Sequence, residues 1–237
     1  GTITFGAIAL RPISTDKPLF TMTMKDLDSA NDFAVTVSDL NVDGSDLEGS
    51  VLLVGPPSSH TVTTSVVTRD GSKIADADVV MSDGTNSSSY QSAADGSVSG
   101  SLTSGSASTV NGSLAYSSST KAISSQDALD ALKLSVGLST SAGTKTAYDF
   151  ISADFNQDGK VSSQDALSIL KYSVGLPTPE QAKWVFVDTS GDHSGVSKSN
   201  TSYTEGVSID DLSSDTTVSL TGILIGDAND SYSGLIA

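Results

Sequence analysis

The sequence predicts a mainly β protein with a small α subdomain, and three observations carry that prediction. Apolar and polar residues alternate over short runs at 33–37, 61–68 and 218–225, as they do on half-buried strands. Ser, Thr, Gly and Asp crowd the intervals between these runs, with Asp-Gly pairs at 83–84 and 95–96. One segment breaks the alternation: residues 123–138 and 161–176 carry an apolar period near 3.6 in two matching copies.

Residues 1–60 form a predicted N-terminal β module. Strands are expected at 20–24 and 33–37, separated by an acidic turn containing Asp26, Asp28, Asn31 and Asp32. A DxNxDG pattern follows at Asp39, Asn41, Asp43 and Gly44, with Ser50 twelve positions along and no helix after it. It reads either as a cation-binding turn between strands or as an ordinary polar turn.

Residues 61–118 read as a small β-sandwich spacer, with strands at 61–68 and 77–81 and hairpin turns at the two Asp-Gly pairs. Its order of turns and strands resembles carboxypeptidase-regulatory-like sandwiches, which implies a spacer or adhesive role. Residues 179–237 return to strands at 184–187 and 218–225, then run into a polar tail. Between those strands Asp188, Ser190 and Asp192 place oxygens at alternate positions. There His193 takes the place of a turn glycine, and no acid stands at position twelve.

The motif DFNQDGKVSSQD at 154–165 spaces oxygen ligands for a hard cation. Asp154, Asn156 and Asp158 fall at loop positions one, three and five, and Gly159 takes the turn at six. Lys160 offers its carbonyl at seven, Ser162 a water at nine, and Asp165 a carboxylate at twelve. Ca²⁺ takes six to eight oxygens, and alternate residues of a tight turn point theirs inward. After the loop, Ser162 or Ser163 caps a helix whose apolar stripe is Ala166, Ile169, Leu170 and Val174. Gly175 stops that helix, and Pro177 prevents its continuation. In the first copy Ala128, Ala131, Leu132, Val136 and Gly137 take the same roles.

A calcium loop, a helix ending in Val-Gly-Leu and a duplicated copy together resemble the dockerin family over residues 119–178. The resemblance implies an extracellular bacterial module of two calcium loop-helix repeats, many of which dock onto cohesin domains. It also implies that loop positions ten and eleven, here Ser125 and Gln126 or Ser163 and Gln164, contribute to partner choice. The first copy departs from the pattern. Counting back from Asp127 at twelve, positions one, three and five are Tyr116, Ser118 and Thr120, so the helix is kept and the ligands are lost.

The tail holds what that copy lacks. Asp227, Asn229 and Ser231 or Asp230 stand at opening-ligand spacing with no helix after them. They are expected to complete a split calcium site with Asp127, either within one chain or between neighbouring chains. The second arrangement would propagate as a filament. Turn acids without an ion are the plain alternative.

Net charge is −16 over 237 residues with 12 basic side chains, which disfavours phosphate-directed binding to nucleic acid. No apolar run approaches the roughly 20 residues of a membrane helix. Cysteine is absent, and the start at Gly1 lacks a basic and apolar leader, so the sequence reads as a portion of a longer secreted polypeptide. The two histidines, His60 and His193, are far apart, and no nucleophile elbow or phosphate loop occurs. The expectation is a non-catalytic, secreted bacterial surface protein in which Ca²⁺ orders the helix pair for adhesion, scaffolding or self-assembly into a layer or filament. The alternatives are an accessory C-terminal module of a secreted hydrolase, or a module that binds a cohesin-like receptor.

Overall fold

The computed structural model describes residues 33–42, 45–53, 58–117, 121–143 and 145–232, and divides the chain into two units, 1–57 and 58–237. In the first unit β1 (Phe33–Val42) and β2 (Ser45–Leu53) form an antiparallel hairpin whose register shifts between Val37 and Leu40. Asp39 and Asn41, expected in a turn, lie within β1, where Asn41 pairs with Asp46. Asp43, Gly44 and the strand expected at 20–24 lie outside the described residues, as do Asp26, Asp28, Asn31 and Asp32.

Among the described residues the second unit holds two four-stranded sheets and three helices. Its strands are β3 (Ser59–Val67), β4 (Asp78–Ser82), β5 (Ser87–Gln91), β6 (Ser97–Thr103), β7 (Ser108–Ser113), β8 (Trp184–Asp188), β9 (Val207–Ile209) and β10 (Thr216–Leu224). One sheet runs β6-β3-β10-β8 and the other β5-β4-β7-β9. The segment after 178 therefore completes the sandwich begun at 58, and the helices enter as an excursion between β7 and β8. β10 lies parallel to β3, from Thr216 beside Val62 to Thr221 beside Val67. The Asp83 turn joins paired strands β4 and β5, as expected. The Asp95-Gly96 turn does not make a hairpin: it passes the chain from β5 in one sheet to β6 in the other.

The core between the sheets gathers Val62, Val66, Ile74, Val79, Met81, Val110, Phe186 and Leu220, all at most 1% exposed. Phe186 fits because Gly112 leaves room for its ring; a Cβ there would lie 2.7 Å from Phe186 Cγ.

Helix α1 (Ser125–Ser135) and helix α3 (Ser163–Ser173) start in capping boxes made by Ser124 with Asp127 and by Ser162 with Asp165. A shorter α2 (Ala147–Ala153), not foreseen from the sequence, starts in a box of Thr146 with Asp149. Gly137 and Gly175 follow α1 and α3 with φ of +85° and +74°, the left-handed stop expected of them. The buried stripes differ from expectation. Ala128, Ala131 and Leu134 are buried on α1, and Ala166 and Ile169 on α3. Leu132, Val136, Leu170 and Val174, expected in the core, are exposed. Alanines fill most of the buried positions beside Leu134 and Ile169, and the other leucines and the valines lie on the outer side.

Candidate metal centre

The 154–165 loop is entered from α2 and left through α3. Asp154 Oδ1 accepts from Asp158 N (3.1 Å) and its Oδ2 from Gly159 N (3.0 Å), and the Thr201 hydroxyl also donates to Oδ2. Asp165 closes the ring: its Oδ1 accepts from Asn156 N (3.1 Å), its Oδ2 from Ser162 N and Oγ (both 2.9 Å). Gln157 at position four adopts φ +55° and Gly159 at six φ +90°, which folds the six opening residues tightly enough to bring Asp154 back over them. Asp154 and Asp165 are buried, 5% and 0% exposed, while Asp158 and Lys160 face water, with Lys160 Nζ 3.5 Å from Asp158 Oδ2. Burial pushes the Asp154 carboxyl up from its ordinary range, opposed by the Thr201 hydroxyl and Gly159 N–H and reinforced by the Asp165 and Asp158 charges.

The residues expected to form a split site come together within one chain. Asn229 N donates to Asp127 Oδ1 (3.3 Å), as Asn156 N does to Asp165 Oδ1. Ser231 N donates to Asp227 Oδ1 and Tyr232 N to Asp227 Oδ2 (both 2.9 Å), as Asp158 N and Gly159 N do to Asp154. Asp230, at position four counted from Asp227 as Gln157 is from Asp154, has φ +59° against +55°. The Asp230 carboxylate lies 3.0 Å from Arg69 Nε, and Ser231 stands at position five. In the first copy Tyr116 is half-buried, its ring 6.4 Å from that of Tyr232, and Ser118 and Thr120 lie outside the described residues.

Two buried carboxylates meet here. Asp127 is 0% exposed and Asp227 2%, and the charge of Asp127 bears directly on Asp227. Burial drives the Asp227 carboxyl up to about 6, with the Ser231 N–H and the Arg69 charge opposing and the Asp127 charge adding to it. Burial likewise raises Asp127.

Arg69, in the turn after β3, is a residue sequence reasoning missed. Its guanidinium reaches Asp227 O (3.1 Å), Ser152 Oγ (3.0 Å) and Asp149 Oδ1 (3.4 Å) as well as Asp230. It ties the sandwich to α2 and to the tail loop. Thr201 was missed as well, since nothing in its local sequence signals a partner 47 residues away. The third candidate, around Asp188, makes only local turns: Asp188 Oδ1 accepts from Ser190 N (2.8 Å) and Asp192 Oδ1 from Ser194 N (2.9 Å).

Among the described residues no three His, Cys, Asp or Glu side chains converge as a metal cluster. Each loop instead brings two aspartates against amide and carbonyl oxygens, a donor set that suits Ca²⁺ better than a transition metal. The residues fit such an ion on one direct observation: Asn229 Oδ1 is shut off from solvent with no hydrogen-bond partner, at the position where the contiguous loop has Asn156.

A second surface is built from the same duplication. Leu129, Leu132, Val136 and Leu138 are 43–64% exposed, and their counterparts Leu167, Leu170, Val174 and Leu176 are 41–61% exposed. These eight are all of the exposed large hydrophobic side chains among the described residues. No protein-family profile, curated protein sequence or solved structure matches the chain.

Proposed function

We propose that this chain is a non-catalytic, calcium-binding structural module of a secreted bacterial surface protein, in which Ca²⁺ orders a dockerin-like helix pair that docks a separate protein. The observation that carries this reading is the row of exposed leucines and valines repeated on α1 and α3, two helices that each begin with an aspartate at position twelve of a calcium-ligand pattern. Large aliphatic side chains exposed in repeated rows mark a surface that a partner covers.

The partner suited to this face has an apolar surface edged with acidic groups, which is cohesin-like in kind. Lys133 and Lys171 stand at matching positions of the two helices, in a chain otherwise rich in acids. Self-assembly through this face is disfavoured. A filament needs a second, different apolar patch for the face to grip, and none is present among the described residues. A face-to-face pair would set lysine against lysine.

The calcium part follows from electrostatics. With Asp154 and Asp165 buried beside one another, a divalent cation offsets a repulsion that would otherwise hold the loop open. Sedimentation in millimolar Ca²⁺ and again in EGTA tests the reading. The expected result is a compact monomer in Ca²⁺ that expands in EGTA. Large reversible assemblies in Ca²⁺ would replace docking by self-assembly, and identical behaviour in both buffers would remove calcium from the account.

A further inference from the structure

The geometry points to a second calcium site, made of two pieces of chain about a hundred residues apart, that clasps the C-terminal tail onto α1. It rests on the calcium reading of the contiguous loop and extends it to a segment with no loop sequence of its own.

The ligand set can be named by position. Asp227, Asn229 and Ser231 supply one, three and five, and Asp127 supplies twelve. Position seven needs a backbone carbonyl, and five residues before Asp165 that residue is Lys160. Five residues before Asp127 it is Ala122. The Ser231 hydroxyl already donates to Ala122 O (3.0 Å), so the carbonyl at seven is next to the ligand at five although the chain between them is missing.

The break also explains a departure. A contiguous loop must turn sharply at six, hence Gly159 at φ +90°. In the split loop the chain need not continue from six to seven. Position six is Tyr232, which is not among the residues of positive φ. Its ring instead packs edge-on against Trp184, with centroids 5.0 Å apart, and against Tyr116 at 6.4 Å.

Two observations independent of the loop pattern call for a cation. Asn229 Oδ1 is buried without a partner, an arrangement a neutral amide oxygen rarely holds unless something coordinates it. Asp127 and Asp227 meet in the interior, with Arg69 directed to the Asp227 carbonyl and to Asp230. A divalent ion between them would offset both carboxylate charges and take the amide oxygen as a ligand at once.

The test counts Ca²⁺ bound by the whole protein in equilibrium dialysis. The wild type is expected to hold two ions, and Asp154→Ala and Asp227→Ala one each. A wild type holding one ion that Asp154→Ala removes and Asp227→Ala leaves would overturn the split site while the contiguous loop stands. A wild type holding none would overturn both.

Asn229→Ala, which leaves the buried carboxylates in place, guards against misfolding of Asp227→Ala. Tb³⁺ supplies a readout of location, because Trp184, the single tryptophan, lies against Tyr232 of the split loop. Tryptophan-excited Tb³⁺ emission is expected to survive Asp154→Ala and to fall at least several-fold in Asn229→Ala. Emission that follows Asp154→Ala and ignores Asn229→Ala would overturn the assignment.

Discussion

Asn229 N donates to Asp127 Oδ1 across 102 residues of chain, and Asn156 N donates to Asp165 Oδ1 across nine. The same hydrogen bond is made once by a loop and once by a tail returning to the first helix. What sets this tail in place is the sandwich. β10 enters the tail from between β3 and β8, and Gly226 N donates to Ser152 O (2.7 Å) at the end of α2. The helix pair and the sandwich are therefore parts of one folding unit, although the sequence spaces them like beads.

Arg69→Met should loosen that unit. The guanidinium side chain is 6% exposed and Asp149, its partner at 3.4 Å, is 9% exposed. Removing the cation leaves Asp149 Oδ1 and the Asp227 carbonyl without it, while Thr146 still donates to Asp149 Oδ2, and breaking a buried pair from one side costs about 3–5 kcal/mol. Denaturant unfolding in Ca²⁺ measures it. Lys160→Met, removing a surface charge beside Asp158, should change stability by less than about 0.5 kcal/mol.

The sandwich should carry an acid-side pH dependence through Asp83. The Thr103 hydroxyl, then the Asn86 and Thr85 N–H groups, hold its carboxyl far below the ordinary 3.8. A depressed folded value means the unfolded chain binds the proton more readily. The contribution is thus fully present above the ordinary aspartate range and is lost as pH falls through it toward the folded value. Melting temperature followed from about pH 5 down to about pH 2 should fall less steeply in Asp83→Asn than in the wild type. Equal slopes would show that the turn does not hold this carboxylate in its charged form.

How much of this was legible in the sequence depends on how local each interaction is. The loop at 154–165 and its cap could be read because Ser162 and Asp165 contact each other within one turn. The split loop left a trace: ligands without a helix at Asp227 and a helix without ligands at Asp127. The trace did not say whether one chain or two would unite them. The pairing of β3 with β10 left none, since Val62 and Thr216 carry no mark of each other, and so the sandwich read as two segments. The short α2 offered only Thr146 and Asp149 as a signal, in too few residues for a period to show.

Gly226→Ala should be costly for a reason that Gly105→Ala is not. Both glycines have positive φ, +104° and +72°. A Cβ at 105 meets nothing within 4 Å and brings only backbone strain, about 1–2 kcal/mol. At 226 it would lie 2.8 Å from Ile123 Cδ1 and 2.8 Å from Phe155 Cε2, both buried. Overpacking of about 1–3 kcal/mol then adds to the strain. Because this Cβ would push between the starts of the two loops, the variant should also need more Ca²⁺ to reach half-saturation, which titration calorimetry detects.

Leu132 and Leu134 stand two residues apart on α1 and separate the outer face from the core. Leu134 is 0% exposed, so Leu134→Ala removes buried methyl groups and leaves a cavity, at a cost of about 2–5 kcal/mol. Leu132 is 43% exposed, and Leu132→Ala should stay within about 0.5 kcal/mol of the wild type in denaturant unfolding. The pair Leu132→Asp and Leu170→Asp, one from each helix, should then leave calcium-dependent melting intact while weakening retention on a hydrophobic column. A large loss of stability in Leu132→Ala would mean that other parts of the protein already cover the face, leaving nothing for a partner to dock on.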